Sequence, residues 1–254
     1  MKYLEILQSF HLSTLQWIAI CFAIFLLGLS KSGIKGIGIV LVIILAFVFG
    51  EKASTGILLP MLICADIMAV IYYNRHANWK YIRKLIPWMA IGVLVGVWLG
   101  NDISELLFKR IMAVIIIVSV LIMFYTESRK SSLIPTNKLF SISAGFLAGF
   151  STMIGNLAGP IANVYFLAMR LPKNEFIGTV AWLFFIINIF KLPFHFFVWK
   201  TVTKETLILN IVLFPVIFVS FFSGIWIVKQ ISNVNYRRLI LIITAIGGVF
   251  MLFK

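Results

Sequence analysis

The chain is short of charge and shorter still of acid. Only 12% of its 254 residues are charged, and eight are Asp or Glu, where a soluble globular chain carries about 25% charged residues. So few polar side chains cannot wet a surface, which excludes an ordinary water-soluble domain. There are two cysteines, Cys21 and Cys64, both in apolar runs. That excludes a disulfide framework or a thiolate metal site and leaves them as small buried hydrophobes. The histidines His11, His76 and His195 are scattered, without the i, i+4 pairing of a metal site. Strict period-two alternation is missing, which excludes a transmembrane β-barrel. No nucleotide-binding loop is present, so coupling to ATP would need a separate subunit. Nothing in the sequence calls for a cofactor.

What is present is apolar. Hydrophobic residues make up 62% of the chain, and long windows carry no charge: Leu12–Ser30, Leu85–Asn101, Ile111–Thr126, Leu139–Met169, Thr206–Val228 and Leu239–Phe253. A helix needs roughly 20 apolar residues to cross the hydrocarbon, so the reading is an all-α polytopic membrane protein. The formal charge of +14 is spread through short loops rather than clustered. Positive-inside bias accounts for it better than nucleic-acid binding does. Lys2 followed by an apolar run could suggest a signal peptide. The run ends in a lysine-containing motif without a small-residue cleavage pattern, so it is read as mature structure.

The chain reads as two copies of one half. "GVWLGNDISELLFKR" at Gly96–Arg110 aligns without gaps to "GIWIVKQISNVNYRR" at Gly224–Arg238. Upstream, Gly28 and Ser30 match Gly149 and Ser151, Gly56 matches Gly178, and Asp66 matches Asn188. This predicts a first membrane repeat over 1–130 and a second over 131–254. The apolar segments fall at about 12–30, 36–50, 53–73, 85–100 and 108–125, then at about 139–150, 157–169, 174–197, 205–228 and 236–253. Five segments per copy, an odd number, makes the second copy enter from the opposite side. That gives two inverted repeats, a common transporter architecture. Counting Lys31 and Lys35 with the loops around Arg75–Lys84, Arg129–Lys138, Arg170–Lys173 and Lys229–Arg238, Lys and Arg number fourteen against seven in the alternate set, and twelve against seven without those two. The bias assigns these loops to the cytoplasm and both termini to the outside. The Trp residues 79, 88, 98, 199 and 226 mostly read as interface anchors.

Two polar stretches interrupt matching places in the halves. The first two segments of each copy are expected to form a short hairpin. Ser30, Lys31, Ser32, Gly33, Lys35 and Gly36 form the first tip, and Ser151, Thr152, Gly155 and Asn156 the second. Glycine lets backbone approach a ligand. Ser, Thr, Asn and Lys supply donors, and a helix starting after the tip offers free N–H groups and its positive end to an anion. The alternative is that the glycines serve helix packing and the lysines are loop charges. Two polar tips at symmetric places favour a ligand site. In "NIFKLPFHF", Lys191 lies three residues from Asn188 and so on the same helical face, beside Pro193. An intramembrane lysine is a functional candidate, with snorkelling as the alternative. Asp66 is expected to pair with Lys191 across the repeat interface or to carry a coupling proton. His195 reads as a packed residue rather than a relay.

The stretches "GLSKSGIKGIGIVLV", "STMIGNLAGPIANVYFLAMRLPKNEFIGTVAWLFF" and "NIFKLPF" resemble the sulfite exporter TauE/SafE family of membrane permeases over nearly the whole chain. Asn156, Ala158, Gly159, Pro160, Tyr165, Lys191 and Pro193 fall in the pattern. Lys35 departs from it, standing where members with a similar motif often have proline. The resemblance implies transport across a bacterial inner membrane of a small sulfur-containing or organic anion such as sulfite or sulfoacetate, driven by an ion gradient. It adds Gly159 to the substrate-binding candidates.

The expected function is therefore secondary transport of a small anion by alternating access around a midplane site. An anion-selective channel and an intramembrane enzyme are the alternatives. An enzyme would need a nucleophile–base set or metal ligands, and the few acids lie mostly in loops. The expected partners are the anionic substrate and membrane lipid, not nucleic acid. Association with a second copy is left open.

Overall fold

The computed structural model describes residues 10–102 and 138–233, with single positions between 104 and 118 and between 235 and 242. The fifth apolar segment of each half, 108–125 and 236–253, therefore lies largely outside the described residues. Within the described residues the chain is helical, without strands. The helices are α1 (Thr14–Ser32), α2 (Gly38–Phe49), α3 (Glu51–Tyr73), α4 (Trp79–Asp102), α5 (Lys138–Gly155), α6 (Ala158–Ala168), α7 (Lys173–Pro193) and α8 (Lys204–Lys229). Past Pro193, α7 continues as one π turn, Phe194–Val198.

Local chemistry sets several boundaries. Ser13 with Gln16, and Thr203 with Thr206, form capping boxes that start α1 and α8. Gly33 ends α1 at φ 132, a backbone region that side chains disfavour. Gly50, at φ 84, both ends α2 and starts α3.

Among the described residues, six helices are long and apolar enough to cross a membrane; α2 and α6 are the shorter apolar ones. With 12 and 11 residues, they rise about 18 and 16 Å at 1.5 Å per residue, well short of the ~30 Å hydrocarbon. The chain is a multi-pass α-helical membrane protein. Its exterior is apolar: Leu15, Phe47, Trp98, Phe197 and Ile211 are each more than 70% exposed. Cys21 is on this exposed face instead of being buried. Trp199 is buried instead of interfacial, its Nε1 donating to the Val97 carbonyl at 3.2 Å.

The polar tips are more helical than their composition suggests. Ser30, Lys31 and Ser32 complete α1, and Ser151–Gly155 complete α5; the second set does not open the helix that follows. The reason is local. Ser32 Oγ donates to the Leu29 carbonyl at 2.8 Å, and Ser151 Oγ donates to the Leu147 carbonyl. Each hydroxyl is satisfied by its own helix, so no loop is needed to solvate it.

The closest helix pairs are α4 with α5, α1 with α8, and α3 with α7. Exchanging the halves exchanges the first two pairs and maps the third onto itself. The glycines matched by sequence do equivalent work in this exchange. A Cβ on Gly28 would strike Ser220 of α8, and one on Gly149 would strike the Met89 backbone of α4. Gly96 abuts Met153 of α5, and Gly224 abuts Ser32 of α1. These are small-xxx-small contacts, which let helix backbones meet where lipid supplies no hydrophobic drive between helices. Gly149→Ala should accordingly force α4 and α5 apart at a cost of about 1–3 kcal/mol. The thermal unfolding midpoint in detergent would fall. An unchanged midpoint would show that the helix pair tolerates separation.

Candidate functional site

Each tip is a helix end, a tight turn and a helix start. At the first, side chains satisfy three carbonyls at and just past the end of α1. Ser32 O accepts from Tyr73 Oη at 2.8 Å, Gly33 O from Tyr236 Oη at 2.5 Å, and Ser30 O from Lys35 Nζ at 3.0 Å. The positive φ of Gly33 and Gly36, at 132 and 101 degrees, reverses the chain. At the second tip Asn156 takes the left-handed conformation, φ 55, and its N–H caps the Thr152 carbonyl at 3.0 Å. Asparagine is one of the few side chains that tolerates this cap. The helices that follow have no side-chain cap, their N-cap residues being Ile37 and Leu157.

Between the tips lies a cavity of about 70 Å³, on the order of five water-sized spheres. The starts of α2 and α6 open on it through Gly38, Ile39, Ala158 and Gly159. A Cβ on Gly159 would meet nothing within 4 Å. Neither helix start has a side-chain cap, and the first-turn N–H groups of Gly38, Ile39, Ala158 and Gly159 at the edge of one space make an anion-binding arrangement.

Three lysines are buried around this space. Lys31 Nζ binds Asp66 Oδ1 at 2.5 Å and lies over the Phe184 ring, 5.0 Å from its centroid. The other Asp66 oxygen accepts from Asn188 Nδ2 at 2.7 Å. Lys191, fully buried, donates to Thr152 O at 2.9 Å, Thr152 Oγ1 at 3.0 Å and Asn156 Oδ1 at 2.6 Å. The pairing expected between Asp66 and Lys191 is therefore not made. Asp66 takes Lys31, and Lys191 reaches the second tip. Each ammonium stands at the negative C-terminal end of a helix, α1 or α5, where a cation is favoured. Each half thus ties its tip to its own long third helix through a lysine, in opposite directions: tip to α3 in one, α7 to tip in the other.

Eight of the candidate residues line the cavity: Ser30, Lys31, Lys35, Gly36, Thr152, Asn156, Gly159 and Asn188. The others stand behind it. Ser32 and Ser151 spend their hydroxyls on their own helices. Gly33 provides the turn, Gly155 ends α5, and Asp66 and Lys191 hold the lining residues in place. His195 is buried, its Nδ1 2.8 Å from Thr201 Oγ1. Among the described residues no group of His, Cys, Asp and Glu could hold a metal.

Sequence reading missed Phe184 and Asn163. Asn163 lines the cavity with a buried Oδ1 that has no hydrogen-bond partner among the described residues. A signal was available, since Asn163 is the polar residue of α6 four positions after Gly159, on the same helical face. Phe184 gave none, being one of 24 phenylalanines.

The sequence pattern of the sulfite exporter TauE/SafE family matches residues 20–251. The chain belongs to this family. No curated protein and no solved structure matches it. Family members are membrane permeases, so this TauE/SafE protein is a multi-pass membrane transporter, with sulfur-containing anions as the family's cargo. The matched span contains both tips, Asp66 and Lys191, so the geometry above lies inside the part of the chain that defines the family.

Proposed function

We propose that this TauE/SafE protein is a secondary carrier that exports a small oxyanion, sulfite or an organosulfur or organic anion of similar size, across a bacterial inner membrane. The observation that carries the reading is the charge around the cavity: three buried lysines and two helix N-termini against one buried carboxylate. A buried cation without a counter-charge costs several kcal/mol. A bound anion offsets that cost, whereas a cation would add to it.

The mechanism follows from which groups can exchange partners. Lys31 is shared between Asp66 and the cavity. An anion entering the cavity competes for the Lys31 ammonium, and the Asp66 carboxylate that is released takes up a hydronium proton from the solution on that side, with Asn188 still bound to its other oxygen. Anion and proton are then carried together and released together, so the proton gradient is coupled to transport in either direction, and net export runs when the outward anion gradient exceeds the inward proton gradient. The halves act as inverted repeats, 1–130 and 131–254, that rock about the tips to expose the cavity to each side in turn. The exchanged helix pairing and the matched glycines support this two-fold relation. The lysine and arginine bias supports both termini lying outside.

Uptake of radiolabelled sulfite into proteoliposomes tests the reading, with sulfate, sulfonates and carboxylates as competitors. Saturable uptake that rises with an imposed proton gradient, and that Lys35→Met weakens, is the expected outcome. Conductance without saturation would replace the carrier by a channel. The absence of both uptake and competition would remove sulfur oxyanions as cargo.

A further inference from the structure

A second recess lies away from the central cavity, where the α6–α7 turn meets the chain after α8. It has a volume of about 340 Å³ and is lined by Arg170, Lys173, Asn233 and Arg238 over a floor of Phe166, Phe176 and Tyr236. The aromatic floor is a continuous edge-to-face chain, with Phe166 and Phe176 centroids 6.1 Å apart and Phe176 and Tyr236 also 6.1 Å apart. Of the lining cations, Lys173 is already committed. Its Nζ donates to the Val228 and Ile231 carbonyls at 3.0 and 2.6 Å, closing the end of α8. Its backbone N–H donates to Asn233 Oδ1 at 3.3 Å.

The two arginines are different. Both are exposed at the recess, and neither has an ion-pair partner among the described residues. Among the described residues no carboxylate lines the recess. The acid on this turn, Glu175, is held away by Asn78 Nδ2 at 2.5 Å. Arg170 also has φ 52, a left-handed conformation unusual for a long side chain. The result is a concave site with two guanidiniums that have no ion-pair partner among the described residues, above an apolar floor, and guanidinium is the side chain best matched to phosphate-type oxygens. Tyr236 and Phe176 wall it off from the first tip, where Tyr236 Oη holds the Gly33 carbonyl.

We propose that this recess is a second oxyanion site, separate from the central cavity, in which Arg170 and Arg238 hold a phosphate-type group. The group could arrive on an anionic lipid, since basic pockets between membrane helices suit such headgroups, or as a free oxyanion at the face assigned to the cytoplasm. The chemistry of the site is the same for both. The proposal is independent of the carrier reading, because it concerns binding rather than translocation.

The test titrates the full-length protein, in uncharged detergent, with dioctanoyl-phosphatidylglycerol, inorganic phosphate and sulfite in turn. Each titration is run on the wild type, on Lys35→Met to weaken the central cavity, and on Arg170→Gln/Arg238→Gln. At least one probe should bind in the Lys35→Met background and lose affinity by about tenfold or more in the double arginine variant. Response to the lipid probe alone assigns a headgroup site, and response to sulfite or phosphate assigns a free-oxyanion site. Arg170→Lys/Arg238→Lys should recover part of the affinity. An unchanged unfolding midpoint in the double variant shows that the loss is not one of folding. Equal affinity in wild type and the double arginine variant for every probe, or no binding of any probe, overturns the proposal. Because no gradient is applied, binding here with failed sulfite uptake would count against the carrier reading alone.

Discussion

Asp66→Asn should lower stability by about 3–5 kcal/mol and abolish gradient-driven accumulation. Asp66 is fully buried, and its carboxylate is the ion-pair partner of a lysine that is itself 7% exposed. Asparagine keeps the shape but leaves the Lys31 ammonium without a counter-charge. Removing one partner of a buried pair is the costly half of the experiment. Replacing both, as Lys31→Met/Asp66→Asn, should recover most of the lost stability, since no buried charge is then stranded. The coupling energy of the double-mutant cycle measures the pair. Transport should separate from stability. The double variant folds but neither attracts the anion nor carries the proton. The single Asp66→Asn variant, assayed where it is still folded, should exchange sulfite for sulfite across the bilayer yet fail to accumulate it when a proton gradient is imposed. An Asp66→Asn protein that unfolds at the wild-type midpoint and still accumulates sulfite would sink both the structural and the coupling roles given to this carboxylate.

Lys191→Met should reduce sulfite transport by at least about tenfold, through loss of a buried network that leaves polar groups unsatisfied. The ammonium fills three acceptors, two on Thr152 and one on Asn156. Methionine conserves length and supplies no donor, so the Asn156 amide oxygen and the Thr152 hydroxyl lose their charged partner, and the Thr152 carbonyl keeps only the Asn156 N–H. Asn156 is the residue whose left-handed backbone turns the chain into α6, and its Nδ2 also reaches across to the Thr55 carbonyl at 3.1 Å. The second tip would lose its fixed position, and with it the orientation of the α6 N-terminus toward the cavity. Lys191 does not line the cavity, so it acts as a positioning residue and its effect should fall on KM as well as on the maximal rate. Lys191→Arg should not rescue, because a planar guanidinium cannot reproduce a tetrahedral ammonium reaching three convergent acceptors. A Lys191→Met protein with wild-type KM would show that the second tip does not depend on this anchor.

Much of the site was legible from one-dimensional pattern. Ser30–Gly36 and Ser151–Asn156 stand out because polar, glycine-rich residues interrupt runs that are otherwise apolar, and the structure brings both to one cavity. Lys191 and Asp66 stand out because a charge inside an apolar run needs a partner. Which partner each one takes was not legible. Lys191 and Asp66 are the complementary pair that sequence offers, yet Asp66 sits beside the end of α1 and Lys191 beside the end of α5, so each meets the nearer tip. Asn163 was passed over because one amide in a short apolar helix is a weak signal until α6 is seen to face a cavity. The helical state of Ser32 and Ser151 was misjudged for a local reason: a hydroxyl that bonds back to its own helix conceals its polarity.

The sequence by itself determined that this is a helical membrane protein and that polar groups gather at the ends of two apolar segments. These follow from composition and periodicity, because hydrocarbon accepts only internally satisfied backbone and penalises unpaired charge at any position. The tertiary structure alone decided how the charges are shared. Which lysine meets Asp66, which one caps α5, and that two short helices aim uncapped ends at the same cavity depend on how α1, α3, α5 and α7 cross. Those crossings are set by where Gly28, Gly149 and their counterparts let backbones touch. Electrostatic partners in a low-dielectric interior are fixed by distances of a few ångströms, and only packing sets those distances.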